Sequence, residues 1–135
     1  MGVKFPFKKE KSPVLGIISR PIAKVHFWSK KGRYWLEVSM IIDSGADYTL
    51  LPRYYADDLK INLQKDCKVF TTIGIGGQEK VYFLPSIKIK LGKWKRKIPV
   101  GFLDRDQVPP LLGRHKFMEK FNTLFAKKSF IKFGL

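Results

Sequence analysis

An alternating segment that ends in a single Asp-Ser-Gly constrains the fold of this chain most. Its apolar residues lie at every second position: Leu36, Val38, Met40 and Ile42. Polar Glu37 and Ser39 stand between them, and this period of two predicts a β-strand with one buried face. The strand ends at Asp43-Ser44-Gly45, which places a carboxyl group at the end of a buried strand.

Similar short strand patterns recur along the chain. They lie at 14–18, 25–27, 69–75, 80–84, 87–91, 98–102, 123–126 and 130–133, with turns predicted at 30–33, 92–93 and 127–129. Helical signals are few: Pro52 suits the first turn of a short helix through Leu59, and Phe117 and Phe121 are spaced for a helix that starts at Arg114. We therefore expect an all-β, or mostly β, fold with one short C-terminal helix.

The length of the chain predicts a single domain. Its 135 residues leave no room for a second sizeable core. The first residues are crowded with lysines around Pro6 and Pro13, so we interpret residues 1–13 as a basic N-terminal arm and residues 14–135 as the domain.

The excess of positive charge suggests several classes of partner. Twenty-seven Lys and Arg against eleven Asp and Glu give a net charge of +16, which fits a nucleic-acid binder, a membrane-surface binder or a protein with a basic outer face. No apolar run is long enough to span a bilayer and no signal peptide is evident, so we expect a cytoplasmic protein. With one cysteine (Cys67) and two histidines (His26 and His115), we expect no disulfide, metal or other cofactor.

The Asp-Ser-Gly triplet has two interpretations when it is considered alone. It is ordinary turn chemistry, and it is also a way to present a carboxylate at the end of a strand. The apolar step that follows, Leu50-Leu51, favours the second interpretation, because a simple turn is more often polar on both sides.

Three segments together resemble the retropepsin family of aspartic proteases. They are Val38–Pro52 with Asp43-Ser44-Gly45-Ala46, the glycine-rich Gly74-Ile75-Gly76-Gly77, and Leu111-Leu112-Gly113-Arg114. Their order along the chain also matches that family, and the resemblance extends from about Arg20 to the C-terminus. It implies a single-domain acid protease fold that works as a homodimer and hydrolyses peptide bonds without a cofactor.

The resemblance assigns the catalytic group to Asp43. Each subunit would supply one Asp43 to a dyad on a two-fold axis. Ser44 would hold the dyad across the dimer, and Gly45 would accept a hydrogen bond from the substrate backbone. Two carboxyl groups in contact cannot both ionise cheaply, so such a pair holds one shared proton and activates a water.

Substrate contacts and interface contacts are implied in the same way. Ala46, Asp47 and Tyr48 would line the substrate site, although Tyr48 stands where retroviral members usually have a second Asp. Arg114 would pair with Asp47, and Arg20 would reach Asp47 of the other subunit. Leu112 and Gly113 would support the interface, while His115 replaces a frequent Asn or Asp.

The glycine-rich segment is interpreted as the tip of a flap. Gly74, Gly76 and Gly77 permit the backbone changes of closure, and Ile75 would cover the bound peptide. A plain hairpin turn is the simpler alternative. A phosphate-binding loop fits poorly, because no Lys-Ser/Thr and no helix follow the glycines.

Two other functions remain open on the residues alone. The fold could bind peptides as a dimer without turnover. Lys93-Trp94-Lys95-Arg96-Lys97 places an aromatic ring among cations, as single-stranded nucleic-acid grooves do, but exposed lysines also protect strand edges. Nucleic acid is therefore a possible partner that we do not favour, and a homodimer acting on peptide or protein substrates is the main hypothesis.

Overall fold

A barrel-like β-sheet forms the centre of the computed structural model, which describes residues 2–74, 76–127 and 129–134. The strands are β1 (Gly2–Pro6), β2 (Lys8–Ser12), β3 (Gly16–Arg20), β4 (Ile22–Ser29), β5 (Tyr34–Ile42), β6 (Thr49–Pro52), β7 (Lys68–Gly74), β8 (Gly77–Leu91), β9 (Trp94–Leu103), β10 (Leu111–Leu112), β11 (Asn122–Ala126) and β12 (Phe130–Gly134). Two short helices, α1 (Tyr54–Asp58) and α2 (Leu63–Asp66), follow β6. The mostly β architecture predicted from the sequence is confirmed.

The main sheet has seven strands in the order β4-β5-β10-β6-β9-β8-β7. A further pairing of β4 with β8 closes six of them into a ring, and β7 extends from β8. Strand β8 can pair with both β7 and β4 because its register shifts between Leu84 and Ile87. A β-bulge at this point bends the strand.

Buried side chains from alternate strand positions fill this ring. Val38, Met40 and Ile42 of β5 are buried as the alternation predicts, and Phe27 and Phe102 are among the largest fully buried side chains. Their burial removes apolar area from water, which is the main favourable contribution to folding such a sheet.

Most of residues 1–13, which the sequence suggested form an arm, lies in two strands, Gly2–Pro6 and Lys8–Ser12. Strand β1 pairs antiparallel with β12 and so joins a three-stranded sheet, β1-β12-β11. Strand β2 forms a hairpin with β3. The apolar residues Val3 and Phe5 alternate with lysine and proline, and Phe5 packs edge-on against Phe133 at 6.2 Å.

The C-terminal helix expected to start at Arg114 is not observed as an α-helix. Residues 114–117 form turns, and a single turn of 3-10 helix covers Met118–Lys120. Lys116 has a φ of +56°, which a right-handed helix cannot accommodate. The main-chain N–H groups of Arg114 and His115 bond to Ala46 and Asp47 instead of lying within a helix.

The aromatic pair behind that helix prediction nevertheless packs together. Phe117 and Phe121 lie 5.4 Å apart between ring centroids, and both pack against Trp94 and Phe133. The aromatic residues therefore join the terminal sheet to the main sheet, and tertiary packing sets the local backbone.

Candidate active site

The backbone of Asp43 is anchored by a neighbouring strand. Strand β10 lies between β5 and β6, parallel to the first and antiparallel to the second. The Asp43 N–H donates to the Leu112 carbonyl at 3.0 Å, and the Ala46 N–H donates to the Asp43 carbonyl at 3.1 Å. The chain therefore turns sharply where β5 ends, and the half-buried Asp43 lies in that turn.

The carboxylate of Asp43 has a defined hydrogen bond. The Gly45 N–H donates to Asp43 Oδ1 at 3.0 Å. A Cβ at Gly45 would lie 3.3 Å from that same oxygen, so glycine keeps the space beside the carboxylate open. Ser44 and Gly45 are exposed, which leaves this loop accessible from outside the chain.

The backbone of Gly113 lies in close contact with the backbone of the Asp-Ser-Gly loop at Tyr48. A Cβ there would overlap the main-chain carbon and oxygen of Tyr48, so only glycine fits. The Gly113 N–H donates to Oγ1 of the fully buried Thr49 at 3.3 Å. Thr49 was not a candidate residue on the sequence alone; its hydroxyl follows the Asp-Ser-Gly loop and satisfies a buried donor.

Asp47 and Arg114 lie in contact, as the resemblance implies. Arg114 Nη2 is 2.8 Å from Asp47 Oδ1, and the Asp47 side chain is 82% exposed. Such an exposed pair contributes little to stability. The two backbone bonds beside it, Arg114 N–H to the Ala46 carbonyl at 3.0 Å and His115 N–H to the Asp47 carbonyl at 2.7 Å, join the two segments more firmly.

Arg20 has a partner that the sequence analysis did not identify. Its Nε donates to Glu10 Oε2 at 2.6 Å, across the β2–β3 hairpin. Within the single chain, Arg20 therefore pairs with Glu10, whereas the expected contact concerned Asp47 of another subunit.

Aromatic side chains connect the Asp-Ser-Gly loop to the hairpin of β7 and β8. Tyr48 lies 6.2 Å from Phe70 and 6.1 Å from Phe83 between ring centroids. Gly101 beneath Tyr48 has no room for a Cβ, which would lie 2.8 Å from the tyrosine ring. Burial, and then the nearby charge of Asp47, raises the pKa of the Tyr48 hydroxyl, so the side chain is neutral at physiological pH. Sequence reasoning missed Phe70 and Phe83 because nothing local links them to Tyr48.

The predicted flap is a hairpin in which Gly74 pairs with Gly77. Gly77 has a φ of +107°, which favours glycine, and Gly76 has open space around it. Ile73 is 81% exposed, so an apolar side chain near the tip contacts nothing that would bury it. Ile75, the predicted cover for the substrate, lies outside the described residues.

A cavity of about 600 Å³ opens next to the Asp-Ser-Gly loop. Its lining includes Asp47, Tyr48, Phe83, Arg114 and Phe121, and Asp43 does not line it. The cavity therefore adjoins the residues expected to contact substrate and does not by itself enclose the catalytic carboxylate.

The remaining residues considered from the sequence are the cysteine and the two histidines. Burial, with the charge of Asp66, raises the pKa of the Cys67 thiol to about 11, which keeps it protonated at neutral pH. His26 lies 3.4 Å from Glu37, and His115 lies 3.8 Å from Glu119. In the described part of the chain, no group of three or more His, Cys, Asp or Glu side chains could hold a metal ion.

Comparisons with known proteins agree with this geometry. Residues 31–115 match the sequence pattern of a family described as aspartyl protease. A crystal structure of a retropepsin-like aspartic protease from Rickettsia conorii has a similar fold, with a TM-score of 0.67, 17% identity, and coverage of 96% of this chain and 98% of that one. A search of curated protein sequences finds no significant match. Among the described residues, no helix is long and apolar enough to cross a bilayer.

The family match spans more than half of the chain, and it includes the strand that ends before Asp43, the β7–β8 hairpin and the Gly113-Arg114 segment. The structural similarity extends over almost the whole length of both chains. The chain therefore belongs to the aspartyl protease family and has a retropepsin-like fold.

Proposed function

We propose that this protein is a homodimeric aspartic endopeptidase whose catalytic dyad is formed by Asp43 from each of two chains. The observation that supports this most directly is the position of Asp43. It follows a buried strand, its backbone is held by Leu112, and its Oδ1 accepts a hydrogen bond from the Gly45 N–H.

The need for a second chain follows from the number of such loops. The sequence contains one Asp-Ser-Gly, and amide hydrolysis by this chemistry needs two carboxyl groups in contact. The Asp43 loop is exposed at Ser44 and Gly45, so a second copy related by a two-fold axis can approach it. Catalysis then requires dimerisation, because one chain supplies only one of the two carboxyl groups.

The dyad would divide acid and base roles between its two members. The ionised carboxylate accepts a proton from a water as that water attacks the scissile carbonyl carbon. The protonated carboxyl donates a hydrogen bond to the carbonyl oxygen and stabilises the charge that develops there. The tetrahedral intermediate then breaks at the C–N bond, and the leaving nitrogen receives a proton.

The surrounding residues would bind and enclose the peptide. The Gly45 carbonyl and the Ala46–Tyr48 segment would contact its backbone and side chains, and Ser44 would hold the two loops together. The flap, with Gly74, Ile75, Gly76 and Gly77 at its tip, would close over the peptide and exclude water. The exposed carboxylate of Asp47 can accept a further donor besides Arg114, which is the role proposed for Arg20 of a second copy.

The experiment that tests this function compares Asp43→Asn with the wild type on a diverse peptide library between about pH 4 and 7. We expect pepstatin-sensitive cleavage in the wild type and a fall of at least about 10²-fold in the variant, since the amide cannot act as a base. Size-exclusion chromatography with light scattering should show a dimer for both proteins.

Asp57→Asn is a matched control, because Asp57 is exposed on α1 and the change is chemically the same. Its cleavage rate should equal that of the wild type. Undiminished cleavage by the Asp43→Asn protein, or a wild-type protein that stays monomeric while it cleaves, contradicts the dyad.

A further inference from the structure

Two tryptophans lie side by side on the outer face of the sheet, away from the core. Trp28 of β4 pairs with Trp35 of β5, and their ring centroids are 5.2 Å apart. Adjacent Phe27 is fully buried, and side chains along a strand alternate between faces, so Trp28 belongs to the outer face. Both indoles are partly exposed, which leaves aromatic surface available to a planar ligand.

Lysines extend this face across the next two strands. Lys88 of β8 pairs with Lys97 of β9, and Lys90 pairs with Lys95. Like charges directly opposite each other destabilise a sheet, so the fold gains nothing from either pair. Lys88 Nζ lies 5.9 Å from the ring centroid of Trp28, and Lys90 Nζ lies 4.6 Å from that of Trp35, so cations and indoles form one surface.

A groove of about 1140 Å³ continues from this face. Trp28, Lys88 and Lys97 belong to its lining. The other cations that line it are Lys30, Lys31, Arg33, Lys60 and Lys65, and the acidic residue among them is Asp66. Among the ion pairs of the described residues, none includes a cation of this groove.

The tryptophan pair lies far from Asp43. Trp35 is near the start of β5 and Asp43 follows its end, and eight residues of extended strand span about 26 Å. A ligand held by Trp28 and Trp35 therefore does not occupy the proposed peptide site.

We propose that the basic groove and the adjoining tryptophan face bind single-stranded nucleic acid. Lysines along a groove neutralise backbone phosphates, and exposed indoles stack on bases without needing a particular sequence. A membrane surface fits less well, because the two most exposed large apolar side chains, Val14 and Ile73, lie near the tips of the β2–β3 and β7–β8 hairpins and not in this groove.

The test is fluorescence anisotropy of a labelled single-stranded oligonucleotide of about twelve nucleotides, titrated with the full chain. We expect the double variant Lys88→Ala/Lys97→Ala to bind about tenfold more weakly and to make the plot of log affinity against log salt shallower by about one. Lys9→Ala/Lys11→Ala removes the same charge from exposed positions on β2 and should bind within about twofold of wild type.

Tryptophan fluorescence supplies a second readout. Trp94 is only 5% exposed, so quenching by the oligonucleotide would report Trp28 and Trp35. Trp28→Leu should lower affinity about tenfold, whereas Trp28→Phe, which keeps an aromatic face, should restore most of it. The proposal would be overturned if the two lysine double variants lost affinity equally, or if the oligonucleotide did not quench indole fluorescence. Binding to anionic lipid vesicles without binding to the oligonucleotide would also overturn it.

Discussion

Gly113 shows how a single residue determines the geometry of the candidate site. A side chain there would overlap the backbone of Tyr48, and the Gly113 N–H is satisfied by the buried hydroxyl of Thr49. The segment after β10 can therefore approach the Asp-Ser-Gly loop closely, and the hydrogen bond from Asp43 to Leu112 forms one residue earlier.

We predict that Gly113→Ala destabilises the protein by at least about 2–3 kcal/mol, because the new methyl group meets backbone atoms that cannot move aside cheaply. Thermal unfolding followed by circular dichroism should show a fall in Tm of about 10 °C. Gly134→Ala is the control, since the nearest atom to its Cβ is 3.9 Å away, and its Tm should stay close to wild type. Equal Tm values for the two variants would show that the close approach at Gly113 is not tight.

At the scale of elements, the conformations of the β7–β8 hairpin and of the 114–121 segment have different physical origins. The hairpin has local signals: alternation on both strands and a glycine tip, and Gly77 adopts a φ of +107°. The 114–121 segment has helical spacing, but its backbone N–H groups bond to the Asp-Ser-Gly loop and its phenylalanines join an aromatic cluster. Contacts with distant residues therefore override a local preference there.

Gly77→Ala should strain the hairpin tip at a cost of about 1–3 kcal/mol, because residues with a Cβ rarely adopt that φ. Gly76→Ala, next to it, adds a Cβ that meets open space, so its free energy of unfolding should fall less than that of Gly77→Ala. Urea unfolding of both variants measures the difference. A loss of the same size in both variants would mean that the tip conformation does not depend on Gly77.

At the scale of the whole molecule, the net positive charge of each chain opposes the association of two chains. Each chain has a net charge of +16, so two copies repel each other over several ångströms of solution. An interface between them must therefore rely on apolar contact and backbone pairing, with ion pairs such as those available to Asp47 and Arg20 as local compensation.

We predict that the dimer tightens as salt is raised from about 0.05 M to 0.5 M, because screening weakens the repulsion between the chains. Sedimentation velocity over a range of protein concentrations should show the dissociation constant falling severalfold. A dimer that weakens as salt rises would instead indicate an interface held mainly by ion pairs.

Much of the fold and part of the candidate site could be predicted from the sequence, because the relevant signals are local. Alternation predicted β4, β5 and the β8–β9 pair, and the turn at residues 30–33 is confirmed. The order of three motifs indicated the family. The contact between Asp47 and Arg114, which the resemblance to that family implied, is present in the structure.

The three-dimensional packing of the chain establishes which distant segments meet. It paired Gly2–Pro6 with the last strand, gave Arg20 a partner in Glu10, replaced the predicted helix with turns, and brought Phe70 and Phe83 to Tyr48. These contacts depend on packing and hydrogen bonding between residues far apart in the chain, which periodicity within one segment does not encode. Local alternation and turn residues encode most of the strands and the place of Asp43 at the end of one of them, because these signals lie within single segments; packing between segments determines what surrounds the carboxylate.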